Sequence, residues 1–239
     1  MIIIPAIDIM DGQVVRLEKG EFSRRKNYDT DPVSLAQSYK TAGFSHLHVV
    51  DLDAAKTGKP VNQSLIIEIT GKTGLRLDVG GGLRREEDIA CFLDHGVSAV
   101  NIGSLAVTEP EKTSELIRKI GGDRIYISLD LLGDDVRING WQEKARIKWQ
   151  NLMQTLIEAG AKTFVMTDIS RDGMLSGISE AFYTKILNSF PDIHLIAGGG
   201  VGGLEDIRML DRLDVYGVIT GKALLEGKLK TEELSEWLC

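Results

Sequence analysis

Short apolar runs alternate with longer amphipathic stretches along almost the whole chain. The runs near 2–8, 46–51, 75–79, 98–103, 125–130, 162–167, 193–197 and 214–220 are rich in Val, Ile and Leu, and they read as strands buried on both faces. Between them, "DPVSLAQSYKTAG", "RREEDIACFLDHG" and "WQNLMQTLIEAG" carry apolar residues at helical spacing and end on glycine, a common helix stop. Eight strand-length runs in 239 residues give about 30 residues per unit, the size of a strand plus a helix. Eight such units close into an α/β fold of the (β/α)8 barrel type. An open doubly wound sheet is the competing architecture, but its G-x-G-x-x-G signature is missing after the first run.

A longer period lies over the short one. Residues 80–106 align without gaps to residues 198–224, with nine of 27 positions identical, including three leading glycines and an E-D-I run. "HVVDLDAAKTG" likewise resembles "FVMTDISRDG", with Asp51 opposite Asp168. Several matches in the same order predict two similar half-barrels, about 1–120 and 121–239, inside one domain spanning 1–239. The seam is expected near Gly121-Gly122.

In such a barrel the active site lies where the strands end and the loops into the helices begin. Asp8 and Asp130 end the first and fifth predicted strands, which face each other across an eight-stranded ring. Each alone fits a loop cap or a lysine partner. Together they suit paired acid and base work, one ionised and one holding a proton. Gly80-Gly81-Gly82 and Gly198-Gly199-Gly200 follow the third and seventh strands. Gly103-Ser104 and Gly221-Lys222 follow the fourth and eighth. Glycine loops let backbone N–H groups approach an anion, and the helix that follows adds its positive end. Two cradles on opposite sides of the ring imply a long substrate with a phosphate at each end, its middle held over the two aspartates.

Composition narrows the partners. Net charge is −7, which argues against a broad nucleic-acid surface, and no apolar run approaches the roughly 20 residues of a membrane span. No secretory signal is read at the N-terminus. Cys91 and Cys239 read as buried or idle thiols, and the cytoplasm is the expected compartment. Neither nucleic acid nor membrane is expected as a partner, and the chain is expected to act as a monomer with at most weak self-association.

"IPAIDIMDGQVVRL", "VVDLDAAKTG", "DVGGGLR", "ISLDLL", "TDISRDGMLSG" and "VITGKALLEG", in this order, resemble the histidine-biosynthesis isomerases acting on phosphoribosylformimino-aminoimidazole-carboxamide ribotide. The resemblance runs from residue 2 to about 227. It implies a TIM barrel performing an Amadori-type aldose–ketose isomerisation on a bis-phosphorylated ribotide, with no metal or redox cofactor. It also implies Asp8 as base and Asp130 as acid, an assignment the residues alone leave open. Thr167 and Asp172 look like the family's polar groups near the sugar, or else loop caps. Trp141 falls where the family stacks a tryptophan on the aminoimidazole, though it equally suits a loop anchor. Gly81, Gly82, Ser104, Gly199, Gly200, Gly221 and Lys222 are expected to bind substrate. Arg16 and Lys19 fit either a phosphate contact or a solvated loop charge. The run "GGGVGG" departs from the family pattern, where a serine or two is expected.

Other expectations concern the remaining motifs. The polar segment 20–31 reads as a mobile loop able to close over the mouth. Trp149 and Trp237 lie in helical patterns and read as packing residues, and His46, His48, His95 and His194 as structural ones. Rival readings are an isomerase that also takes phosphoribosyl anthranilate, the sister ammonia-using cyclase, and a catalytically silent sugar-phosphate binder. The first-strand "PAIDI" and Trp141 favour the isomerase over the cyclase, and the joint presence of Asp8 and Asp130 argues against the silent binder.

Overall fold

The N-terminal apolar run forms β1 (Ile2–Met10), and the polar stretch after it folds back as β2 (Gln13–Glu18) and β3 (Glu21–Asn27). There follow α1 (Pro32–Thr41), β4 (His46–Asp51), α2 (Leu52–Thr57), α3 (Gln63–Thr73), β5 (Arg76–Gly80) and α4 (Glu86–Asp94). Next come β6 (Ala99–Ile102), α5 (Ser104–Thr108), α6 (Pro110–Ile120), β7 (Ile125–Leu132), β8 (Asp135–Ile138) and β9 (Glu143–Lys148). The chain ends with α7 (Trp149–Glu158), β10 (Thr163–Asp168), α8 (Glu180–Ser189), β11 (His194–Gly198), α9 (Leu204–Arg212), β12 (Gly217–Thr220), α10 (Lys222–Leu225) and a 3-10 turn at Thr231–Leu234. The structure, a computed structural model, describes residues 1–18 and 20–238. Lys19 and Cys239, with the roles expected of them, lie outside the described residues.

Local chemistry sets the helix starts. Asp31 accepts from the Ser34 backbone N–H at 2.8 Å ahead of Pro32, and Asp51 accepts from Ala54 N–H at 2.9 Å. Eight strands pair in parallel in the order β1-β4-β5-β6-β7-β10-β11-β12, and pairing of β12 with β1 and of β7 with β10 closes the ring. The expected (β/α)8 barrel is the observed fold. Along β1, Ile3, Ile7 and Ile9 belong to the large apolar layer between sheet and helices. Ile4 faces the other way and joins Val165 and Ile196 in a small separate cluster inside the ring. Asp8, Asp78 and Asn101 are among the buried polar residues of the strands.

Two hairpins were not legible as strands. β2 pairs antiparallel with β1 (Asp8 opposite Val15), and β8 pairs antiparallel with β7 (Asp130 opposite Arg137). Both therefore lie on the strand-end side of the barrel, above the mouth, each seven residues beyond its aspartate (15 − 8 and 137 − 130). The segment 20–31 is thus corrected from loop to strand over Glu21–Asn27. Nearly every residue of that strand is exposed, so no apolar alternation marks it. It is tied down at its end, where Lys26 Nζ and the Tyr28 hydroxyl both donate to Glu226 Oε1, at 2.6 and 3.1 Å. Trp149 is fully buried, as expected of a packing residue. Trp237 packs on the core from a turn rather than from a helix. Among the described residues, no helix is long and apolar enough to cross a membrane.

Candidate active site

Asp8 projects from the inner face of β1, and its position opposite Val15 brings Arg16 of β2 alongside. Arg16 Nη1 donates to Asp8 Oδ2 at 2.8 Å, and both side chains are largely buried. Burial alone would lower the Arg16 pKa, but the charges of Asp8 and Asp172 outweigh it and raise it. Arg16 is therefore no solvated loop charge; it is fixed inside the mouth. Asp172 comes from the loop after β10, and its pKa is raised by burial and by the Asp8 charge, against the pull of Arg16.

Asp130 lies on the inner face of β7, two residues before its end, and stands beside Thr167 of β10 in the parallel register. With β1 and β7 separated by three strands in either direction, Asp8 and Asp130 lie on opposite walls of the ring. Burial pushes the Asp130 pKa up, opposed by hydrogen bonds from the Trp141 indole and the Thr167 hydroxyl, while the nearby Asp172 charge raises it further. Asp172 is thus coupled to both of the others: the Asp8 charge raises its pKa, and its own charge raises that of Asp130.

Trp141 sits in the turn between β8 and β9, at φ +70°. Its Nε1–H donates to Asp130 Oδ2 at 2.9 Å. Its ring lies over Gly20, where a Cβ would fall 2.9 Å from Cε3. The tips of the two hairpins therefore meet across the mouth, with the indole between Gly20 and Asp130. Trp141→Phe keeps the ring and removes the donor. A carboxyl that loses a hydrogen bond favouring its ionised form has its pKa raised further. The expected result is an acidic group that titrates at higher pH than in the wild type, read from the pH dependence of kcat/KM, which reports the free enzyme.

The glycine runs divide by surroundings. Against the β11/β12 ends lies a cavity of ≈ 40 Å³ lined by Arg16, Asp172, Gly199, Gly200, Gly221 and Lys222, room for more than one water. Thr220 also lines it, and its buried hydroxyl has no hydrogen-bond partner among the described residues. Lys222 Nζ donates to the Gly173 carbonyl at 2.8 Å, so it also braces the loop after β10. At the β5/β6 ends the expected reason for glycine changes. A Cβ on Gly81 would fall 2.2 Å from the Asp51 carbonyl oxygen, and one on Gly82 would fall 1.9 Å from that of Ala54. These two glycines admit the backbone of residues 51–54. Ser104 Oγ accepts from Asn139 N–H at 3.3 Å, tying the second hairpin to this side of the mouth.

Two features went unread in the sequence. Asp206 accepts from the backbone of Ile178 at 3.1 Å, Gly202 at 2.8 Å and Gly203 at 3.3 Å, and so clips the loop after β10 to the loop after β11. The E-D-I repeat pointed at it without saying why. His48 is the other: its Nδ1 lies 2.6 Å from Asp78 Oδ2 inside the barrel.

Fold and mouth define a class: (β/α)8 barrels whose strand ends carry several acidic groups beside a glycine-lined cavity. Comparison with known proteins narrows it. The family model described as "Histidine biosynthesis protein" matches residues 2–230, and the chain belongs to that family. A protein of Cytophaga hutchinsonii is 39% identical over 235 residues, covering 98% of both chains. One of Phocaeicola vulgatus is 37% identical over 236 residues, covering 99% of both, and one of Cronobacter sakazakii is 39% identical over 241 residues, covering 98% of both. All three are named 1-(5-phosphoribosyl)-5-((5-phosphoribosylamino)methylideneamino)imidazole-4-carboxamide isomerase.

Proposed function

We propose that the protein is the isomerase that opens the N-linked aminoaldose of this bis-phosphorylated ribotide and converts it to the aminoketose, a step of histidine biosynthesis. One observation carries the chemical assignment. Asp8 is bonded to a buried guanidinium at 2.8 Å, while burial raises the pKa of Asp130 on the opposite wall. A carboxyl paired with a guanidinium, facing one that burial inclines to keep its proton, suits a base facing an acid.

In this reading Asp130 delivers its proton to the ribose ring oxygen. The C1–O bond breaks and the nitrogen lone pair forms the C1=N iminium. Asp8 then takes the proton from C2, and that electron pair forms C1=C2 and neutralises the nitrogen, giving the enaminol. Protonated Asp8 then gives its proton to C1 as the Asp130 carboxylate takes the proton of the C2 hydroxyl, so the ketone forms, both groups are restored and atoms and electrons balance. The anion cavity at the β11/β12 ends would take one phosphate, with Gly199, Gly200 and Gly221 offering backbone donors and Arg16 a charge. Gly82 and Ser104 would stand near the other. Trp141 would swing from Asp130 onto the imidazole when substrate enters.

A second reading of the acid is favoured by the coupling of Asp172 to both other carboxyls. The test is an absorbance assay of ribotide turnover with Asp130→Asn and Asp172→Asn. The first reading expects loss of about 10²–10⁴ in kcat for Asp130→Asn, the usual contribution of a positioned acid. If Asp130→Asn keeps its turnover and Asp172→Asn loses it, the acid is Asp172. No wild-type turnover would remove the isomerase. Turnover of phosphoribosyl anthranilate in the same assay would extend the substrate range.

A further inference from the structure

Beneath the mouth, polar side chains run across four neighbouring strands. His48 of β4 lies with Nδ1 2.6 Å from Asp78 Oδ2 of β5, and Asn101 Nδ2 of β6 donates to the same oxygen at 3.3 Å. The Ser128 hydroxyl of β7 donates in turn to Asn101 Oδ1. Asp78 and Asn101 are each 4% exposed. Burying an acid and an imidazole inside a ring that also holds the apolar cluster of Ile4, Val165 and Ile196 is costly unless every group is satisfied. The directions here are consistent. The donors converge on Asp78 Oδ2, which therefore acts as the acceptor, and that fixes the proton on His48 Nδ1.

The other imidazole nitrogen is the exception. Nε2 of His48 makes no hydrogen bond among the described residues, though the ring is largely buried. The adjoining Cε1 lies 3.9 Å from where a Cβ on Gly80 would stand, so this edge of the ring reaches the head of the first glycine run at the end of β5. The charged groups facing His48 are Asp78 from β5, Asp8 from β1 and Arg16 from β2. Burial and Arg16 favour the neutral ring, but Asp78 and Asp8 outweigh them and the pKa is raised.

We propose that His48 touches the substrate as a cationic donor at the floor of the mouth, oriented by Asp78 and hydrogen-bonding through Nε2–H to the C2 oxygen of the sugar that Asp8 deprotonates. The proposal rests on the isomerase reading. His48 transfers no proton in this role. Its charge draws electron density from C2 while the C–H bond breaks, and its hydrogen bond strengthens as the C2 oxygen sheds its proton to become the ketone. An interaction stronger in the transition state than in the ground state appears in kcat. Asp78 is a positioning residue acting through His48.

The test uses the full chain in the ribotide assay over a range of pH. His48→Gln is expected to lower kcat by about 10²-fold or more, as loss of an oxyanion donor does, with KM changed far less. Asp78→Asn keeps the shape and an acceptor but removes the charge. The active form is protonated His48, and activity is lost as pH rises through its pKa. Lowering that pKa should move the alkaline limb of the kcat profile down by about 1–3 pH units. The imidazole NMR signal of His48, assigned from its disappearance in His48→Gln, should shift its titration in step. If His48→Gln fails to fold, His48→Asn, shorter and uncharged, serves instead with the same loss of kcat expected. Wild-type turnover with unchanged kcat in His48→Gln or His48→Asn, or an unmoved alkaline limb in Asp78→Asn, would overturn the role of His48 and leave the isomerase standing. No turnover in the wild type would remove both.

Discussion

Asp8→Asn and Asp130→Asn are each expected to lower kcat by about 10²–10⁴-fold, and to change stability in opposite directions. Asp8 is the hydrogen-bonded partner of a buried guanidinium, at 2.8 Å. Asparagine there leaves Arg16 with only the Asp172 charge close by, so Asp8→Asn should destabilise the fold by about 1–3 kcal/mol. Asp130 is different. Burial opposes its ionisation, and Asp172 adds a like charge. Asparagine keeps an acceptor for the Trp141 indole and removes the buried acid, so Asp130→Asn should be more stable than wild type at neutral pH. The sign follows from linkage. With the Asp130 pKa raised on folding, the folded chain holds a proton that the unfolded chain releases above its ordinary value of 3.8. This group therefore makes stability fall as pH rises from about 4 until the folded pKa is passed. Denaturant midpoints measured across that interval should converge at the acid end and separate toward neutrality. A variant equally inactive but no more stable at neutral pH would show that Asp130 is ionised in the fold and is not the acid.

The eight barrel strands were legible because each is a buried run of Val, Ile and Leu, and the helices because their apolar stripes keep a 3.6-residue period. Asp8 and Asp130 could be found because each ends such a run. The two hairpins were not legible. Glu21–Asn27 buries almost nothing, so its polar sequence is that of a loop, and only pairing with β2 makes it a strand. Arg16 was ambiguous for the same reason, since its burial depends on that hairpin. The His48–Asp78–Asn101–Ser128 tract was out of reach of any motif, because its members come from four strands and meet only through the ring's register. Glycine runs were read correctly as special backbone, but the reason for them was only half visible. The sequence cannot say whether a missing side chain makes room for a ligand or for another loop.

That distinction sets the second large effect. At Gly82 the space a side chain would need is already taken: a Cβ would lie 1.9 Å from the Ala54 carbonyl oxygen, at φ +63°. The segment it would strike is not free to move. Asp51 accepts from Ala54 N–H at 2.9 Å, Val61 N–H at 3.0 Å, Asn62 N–H at 2.8 Å and Asn62 Nδ2 at 2.8 Å, and it is 1% exposed. Moving 51–54 to admit a methyl would strain a buried carboxylate with four donors, in addition to the cost of the left-handed backbone. Gly82→Ala should therefore destabilise the fold by about 2–4 kcal/mol, and Gly81→Val by at least as much, since its Cβ would lie 2.2 Å from the Asp51 carbonyl oxygen. Gly203→Ala is the matched control. It stands in the corresponding stretch after β11, meets nothing within 4 Å and has extended backbone, so it should stay within about 0.5 kcal/mol of wild type. Denaturant unfolding of the three variants decides the matter. A Gly82→Ala protein as stable as Gly203→Ala, with its defect confined to KM, would mean that the loop yields readily and that glycine is kept at 82 for the phosphate alone.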